Sequence, residues 1–143
     1  MLYRAWALLA DEMLTPRLEV MLEPDTHARW LRAAGLSNAD APRIANLGTL
    51  DRPQSLERLA AADTLIIPSA IALHDIPVIE ATAFGKPVLA PERSDVRDVC
   101  VPAQTFNPQD PYSIADAVRR FLGYARAPVL PLTPEQLVQT ILA

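Results

Sequence analysis

Apolar positions along the chain recur with helical spacing in some stretches and as short unbroken runs in others, and the switches between them mark out the elements. In "MLYRAWALLADEML", Leu2, Trp6, Leu9 and Met13 fall on one face of an amphipathic helix. The run Leu18 to Leu22, held between Pro16 and Pro24, predicts a short strand. "DTHARWLRAAG" (25–35) predicts a helix, with Asp25 as N-cap and Gly35 as its stop. "RIANLG" (43–48) predicts a second strand. "DRPQSLERLAAAD" (51–63) predicts a helix whose Asp51 and Gln54 have capping-box spacing around Pro53. "TLIIPS" (64–69) is a third strand, apolar enough to be buried on both faces.

The second half continues the alternation. A helix is expected at about 76–84, a stop at Gly85, and a strand over Pro87–Ala90. "AQTF" (103–106) predicts a last short strand. "DPYSIADAVRRFLG" (110–123) carries the clearest helical stripe, Ile114, Ala117, Val118, Phe121 and Leu122, behind an Asp110 cap and Pro111. "TPEQLVQTILA" (133–143) repeats that device, and the Pro-rich "ARAPVLPLTP" (125–134) connects to it. Strands alternating with helices at this spacing predict an α/β domain, a Rossmann-like parallel sheet with helices on both faces. Residues 1–143 are expected to form one domain, with 125–143 as connector and C-terminal helix.

Composition narrows the function classes. The net charge of −4 gives no electrostatic reason to expect nucleic acid. Cys100 is the only cysteine, and His27 and His74 have no partner at ligand spacing, so neither a disulfide nor a metal site is expected. The apolar N-terminus is interrupted by Asp11 and Glu12, too early for a spanning helix or a secretory leader, and a cytoplasmic setting is the default. Gly35, Gly48, Gly85 and Gly123 stand far apart, which excludes glycine-rich phosphate loops of the P-loop or dinucleotide type.

Chemistry is expected beyond the carboxyl ends of the strands, where open parallel sheets bind ligands. "SAIALHD", after the third strand, lies at that edge and feeds into the helix that carries Glu80. Pro77 suits the first turn, where unpartnered backbone N–H groups attract anions, phosphates above all. A carboxylate a turn further in, Glu80, can accept two hydrogen bonds from a vicinal diol such as a ribose presents. A purely structural reading stands beside this one: Asp75 caps the helix, and Glu80 favours the positive end of its dipole. Ser69 follows a strand without G-x-S-x-G context, so no hydrolase nucleophile is expected there. Arg93, Asp95, Arg97 and Asp98 read as a solvated turn of helix.

"AADTLIIPSAIALHDIPVIEATAFGKPVLAP" resembles the donor-binding region of retaining glycosyltransferases with the GT-B fold, the large group 1 family. Ala62, Asp63, Pro68, Ser69, Pro77, Glu80, Ala81, Ala83, Gly85, Pro87, Val88 and Ala90 fit its "AD…PS" and "P-x-x-E-A-x-A-x-G-x-P-V-x-A" patterns. "FNPQDPYSIADAVRRFL" (106–122) is similar to a later family segment, and the likeness spans roughly residues 1–125. The resemblance implies the C-terminal, nucleotide-sugar donor domain of such an enzyme, truncated, with no cofactor beyond the nucleotide-diphosphate sugar itself. It implies that Glu80 binds the ribose hydroxyls. Backbone N–H groups of the loop around Leu73, His74, Asp75, Ile76, Pro77 and Val78 would meet the diphosphate, and Gly48, Thr49 and Leu50 would flank the base. Ser69 and Ala72 complete the implied donor-binding set.

The chain also departs from the family. The place of its second glutamate is Ala72, and its Gly-aromatic-Gly loop reads Leu73, His74, Asp75 here. Substituting glycines restricts backbone approach, and an acid beside a diphosphate is electrostatically unfavourable. The "G-R-x-x-x-x-K-G" segment that neutralises the leaving group is not found, nor is the first strand, which belongs in the centre of a 3-2-1-4-5-6 sheet. Transfer with retention is therefore expected only with an N-terminal domain or partner chain, and no catalytic residue is assigned. The alternative is a degenerate, non-catalytic domain that acts through protein association or self-association.

Overall fold

The computed structural model describes residues 1–12, 14, 16–37, 39, 43–70 and 75–124, the side chain of Asp75 excepted. Helix α1 (Leu2–Asp11) buries Tyr3, Ala5, Trp6 and Leu9. The buried face is centred one position from the expected one, with Leu2 at its margin, and Met13 lies outside the described residues. Its two large aromatics are polar-satisfied: Trp6 Nε1 donates to the Pro16 carbonyl at 2.8 Å, and the Tyr3 hydroxyl bonds His27 Nδ1 at 2.7 Å. Tyr3 also meets the rings of His27 and Trp30 edge-on.

Strand β1 (Leu18–Val20) is shorter than the apolar run through Leu22. Beyond Val20 a side chain takes over the ladder. Leu22 N–H donates to Asn46 Oδ1, and Asn46 Nδ2 donates back to the Leu22 carbonyl, each at 3.0 Å. Helix α2 (Pro24–Ala33) is capped by Glu23 rather than by Asp25, because the preset φ of Pro24 opens the helix a residue earlier. Strand β2 (Ile44–Asn46) pairs in parallel with β1, Leu18 opposite Ile44. Helix α3 (Arg52–Ala61) has the expected capping box: Asp51 accepts from Gln54 N–H and Gln54 returns the bond.

Strand β3 (Leu65–Ile66) is only two residues long and half-buried, not the doubly buried strand its composition predicts. It is an edge strand, paired on one side alone. Helix α4 (Asp75–Ala83) ends at Gly85, whose φ of +66° lets the chain turn while Lys86 N–H reaches back to the Ala81 carbonyl at 2.8 Å. Strand β4 (Val88–Pro91) is buried at every position and is the middle of its sheet. Helix α5 (Ser94–Val99) is more than a solvated turn, since Val96 is buried in the core. Strand β5 (Gln104–Phe106) precedes helix α6 (Pro111–Phe121), which Asp110 caps through the Tyr112 N–H at 2.9 Å. Ile114, Ala115, Ala117 and Val118 are buried, but Leu122 is exposed because the helix stops at Phe121.

Among the described residues all strand pairs are parallel, yet they form two sheets, β2-β1 and β3-β4-β5, with no hydrogen bond between β1 and β3. This is the division expected of a 3-2-1-4-5-6 sheet without its first strand. One apolar layer spans both sheets. In it Leu18, Ile44, Leu89 and Phe106 from the strands meet Tyr3, Trp6 and Leu9 of α1, Leu31 of α2 and Ile114 and Val118 of α6. The opposite face of β3 and β4 is covered by Val78 and Ala81 of α4, Val96 of α5 and Leu59 of α3. Helices thus lie on both faces of the larger sheet. On β1 the residue facing away from the shared layer is Glu19, paired with Arg17 at 3.2 Å. The connector and helix expected over 125–143 lie outside the described residues.

Candidate functional site

The chain after β2 runs into α3, whose first residue meets Glu80 of α4. After β2 the chain is pinned. Asn46 Oδ1 also accepts the Gly48 N–H at 3.2 Å, and the Thr49 hydroxyl donates to Glu23 Oε1 at 3.1 Å. Gly48 takes a positive φ of 70°, which a side chain would strain, so the tight turn into α3 rests on a glycine. Leu50 is half-buried, and with Gln54, Glu57, Arg58 and Ala61 it lines an open depression along α3 that Glu80 does not border.

Glu80 sits on α4 with its side chain 20% exposed. Val78 and Ala81 on the same helix are fully buried and anchor it to the sheet. Across from it, Arg52 opens α3 and places Nη2 3.0 Å from Glu80 Oε1. Among the described side chains Glu80 has no other ion-pair or hydrogen-bond partner, so its carboxylate keeps acceptor capacity for another donor. Thus α3 and α4, and with α3 the loop of Thr49 and Leu50, are brought together at the one acid that the sequence singled out.

Among the other expected donor-binding residues, Ile76 and Pro77 are exposed in the first turn of α4, where backbone N–H groups lack intrahelical partners. Val78 differs from expectation in its side chain, which belongs to the core, so only its backbone could face a ligand. Ser69 is half-buried three residues beyond β3. Ala72, Leu73 and His74, and the side chain of Asp75, lie outside the described residues.

Two arginines make contacts that local spacing does not predict. Arg52 meets a partner distant in sequence, on another helix. Arg93 precedes α5 and clamps Asp95 with two bonds, 2.9 and 3.0 Å. Its Nη1 donates to the Ala70 carbonyl at 2.7 Å, tying the end of β4 to the chain that leaves β3. Nearby, the Arg97 guanidinium holds the Glu92 carboxyl below its usual range, through bonds of 2.6 and 2.7 Å. The edge thus presents a glutamate with a largely buried side chain, an arginine paired with it, the start of α4, and a second arginine bonded to the Ala70 carbonyl.

Among the described residues no helix is long and apolar enough to cross a membrane. A family profile described as glycosyl transferases group 1 matches residues 1–123. No curated protein matches the chain.

Proposed function

Because the chain belongs to the group 1 glycosyltransferases, we propose that it binds a nucleotide-diphosphate sugar at the edge formed by the β2–α3 loop and the start of α4. Glu80 accepts the ribose hydroxyls, the free amides of the first turn of α4 take the diphosphate, and Thr49 and Leu50 flank the base. One observation carries this reading: a glutamate whose side chain is 20% exposed, on an anchored helix, with a single ion-pair partner among the described side chains. A diol supplies two O–H donors at the spacing of one carboxylate, so the match is chemical as well as positional. The backbone amides act electrostatically, as helix starts do toward phosphates.

Sugar transfer with retention then requires an acceptor domain and cations for the leaving diphosphate, supplied by an N-terminal domain or a partner chain. Arg93 does not stand in for those cations, since Asp95 and the Ala70 carbonyl already occupy three of its five N–H donors.

Calorimetric titration with UDP, GDP and ADP and their hexose conjugates tests the donor reading. Binding of one nucleotide is expected, weakened about tenfold in Glu80→Ala, as loss of a charge-assisted hydrogen bond implies. No heat with any of them would remove the reading, and binding indifferent to Glu80→Ala would remove the role given to that residue.

A second reading, a non-catalytic domain acting through association, is favoured by a different observation. The facing edges of β1 and β3 are unpaired among the described residues. Open strand edges are templates for pairing with another chain. Sedimentation equilibrium over a range of chain concentrations tests self-association, and a monomer at every concentration would exclude a second copy as the occupant.

A further inference from the structure

Arg52 belongs to neither the sequence pattern nor the anion-binding helix start, yet it is the only described side chain in contact with Glu80 by hydrogen bond or ion pair. From this geometry we infer that Arg52 is a positioning residue for sugar recognition: it orients the Glu80 carboxylate so that the site distinguishes a ribose from a deoxyribose. The inference rests on the donor-binding reading of Glu80 and adds to it the residue that makes the carboxylate selective.

Both ends of the contact are fixed by their elements. Arg52 grows from the first position of α3, directly after the N-cap Asp51, whose capping box with Gln54 holds that turn. The turn itself is continuous with the loop pinned by Asn46 and Glu23. Glu80 grows from a helix whose neighbouring residues Val78 and Ala81 are fully buried. A glutamate side chain has three rotatable bonds before its carboxylate, and a free one samples many orientations at an entropic cost on binding. The Arg52 guanidinium, 3.0 Å from Oε1, biases the carboxylate toward the orientations that face α3 without forming a hydrogen-bonded fork over it.

The contact is an ion pair and not a hydrogen-bonded fork of the kind Arg93 makes with Asp95. A fork of that kind would occupy both oxygens and compete with a diol. Here the diol can engage the Glu80 carboxylate while Arg52 stays in place. Arg52 is itself largely exposed, with 73% of its side chain accessible, so the pair adds little to folding stability. Loss of the arginine is therefore read in recognition and not in the melting transition.

The test compares each nucleoside diphosphate that binds with its 2′-deoxy counterpart, in the wild-type chain, Arg52→Met, Arg52→Lys and Glu80→Gln. The wild-type chain is expected to prefer the ribose form by about tenfold, and Glu80→Gln to abolish that preference. Arg52→Met, which keeps the stem but not the charge, is expected to reduce the preference by about threefold while leaving affinity for the deoxy form within about twofold. Arg52→Lys restores part of it, as a point charge without the planar fork would. Equal losses for both sugars in Arg52→Met, or an unchanged ratio, overturn the inference while the Glu80 reading stands. A wild-type chain with no ribose preference overturns the diol reading of Glu80 and this inference together, and no nucleotide binding overturns the donor reading beneath both.

Discussion

Tyr3 shows how one polar group in the core ties the fold to pH. Its ring is almost wholly buried between α1 and α2, its hydroxyl meets His27 Nδ1, and burial pushes the phenol from 10.0 up to about 12. The unfolded chain gives up that proton first. The stability that Tyr3 contributes is complete below about pH 10 and is lost as pH rises through the window to about 12. Urea midpoints measured across this window should fall more steeply for the wild-type chain than for Tyr3→Phe, and parallel curves would contradict the burial-driven shift. At the same scale, Glu80 was legible in the sequence because an acid stood among apolar helix positions after a Pro start. Its partner Arg52 was not, since an ion pair between two helices leaves no spacing to read. Arg93 looked like a surface charge beside Asp95, and only the fold gives it the Ala70 carbonyl.

Whole elements were readable where local chemistry decides them. The capping box of α3, the Asp110 cap of α6 and the glycine stop of α4 are each written within a few residues, and each forms as the spacing predicts. What failed depended on neighbours distant in sequence. The run "TLIIPS" has the composition of a central strand, but among the described residues β3 is paired along one edge alone, and solvent reaches Leu65 and Ile66 from the open edge. β1 stops at Val20 because Asn46, a residue of the next strand, bonds Leu22 with its side chain. Asp25 lost the cap of α2 to a competing local rule, the helix start at Pro24. Ligand-facing geometry follows the same division: the start of α4 is local, whereas its approach to α3 is tertiary.

The molecule as a whole is two parallel sheets under one shared helix layer. In a parallel ladder alternate residues turn their amides to opposite sides. Leu18 N–H bonds the Arg43 carbonyl at 2.7 Å, while Leu65 and Ile67 N–H bond the carbonyls of Pro87 and Leu89 at 3.1 and 2.9 Å. Glu19 and Ile66 therefore aim their amides at the unpaired edges. Hydrogen exchange read residue by residue should find those two amides at least about tenfold faster than Leu18, Leu65 and Ile67. Protection of Glu19 and Ile66 in the isolated monomer would mean that the edges are closed after all. The layer that joins the sheets has its own consequence. Arg119 of α6 reaches Glu12, just past the end of α1, across 107 positions of chain, with bonds of 2.6 and 2.7 Å. The β3-to-β5 unit, by contrast, is assembled from segments adjacent in sequence. Closing short loops costs less entropy than closing a long one. On loop-closure cost the three-stranded half is expected to organise before α1 docks on α6. Arg119→Ala should therefore speed unfolding more than it slows folding in stopped-flow measurements, and a slowed folding limb would contradict that order.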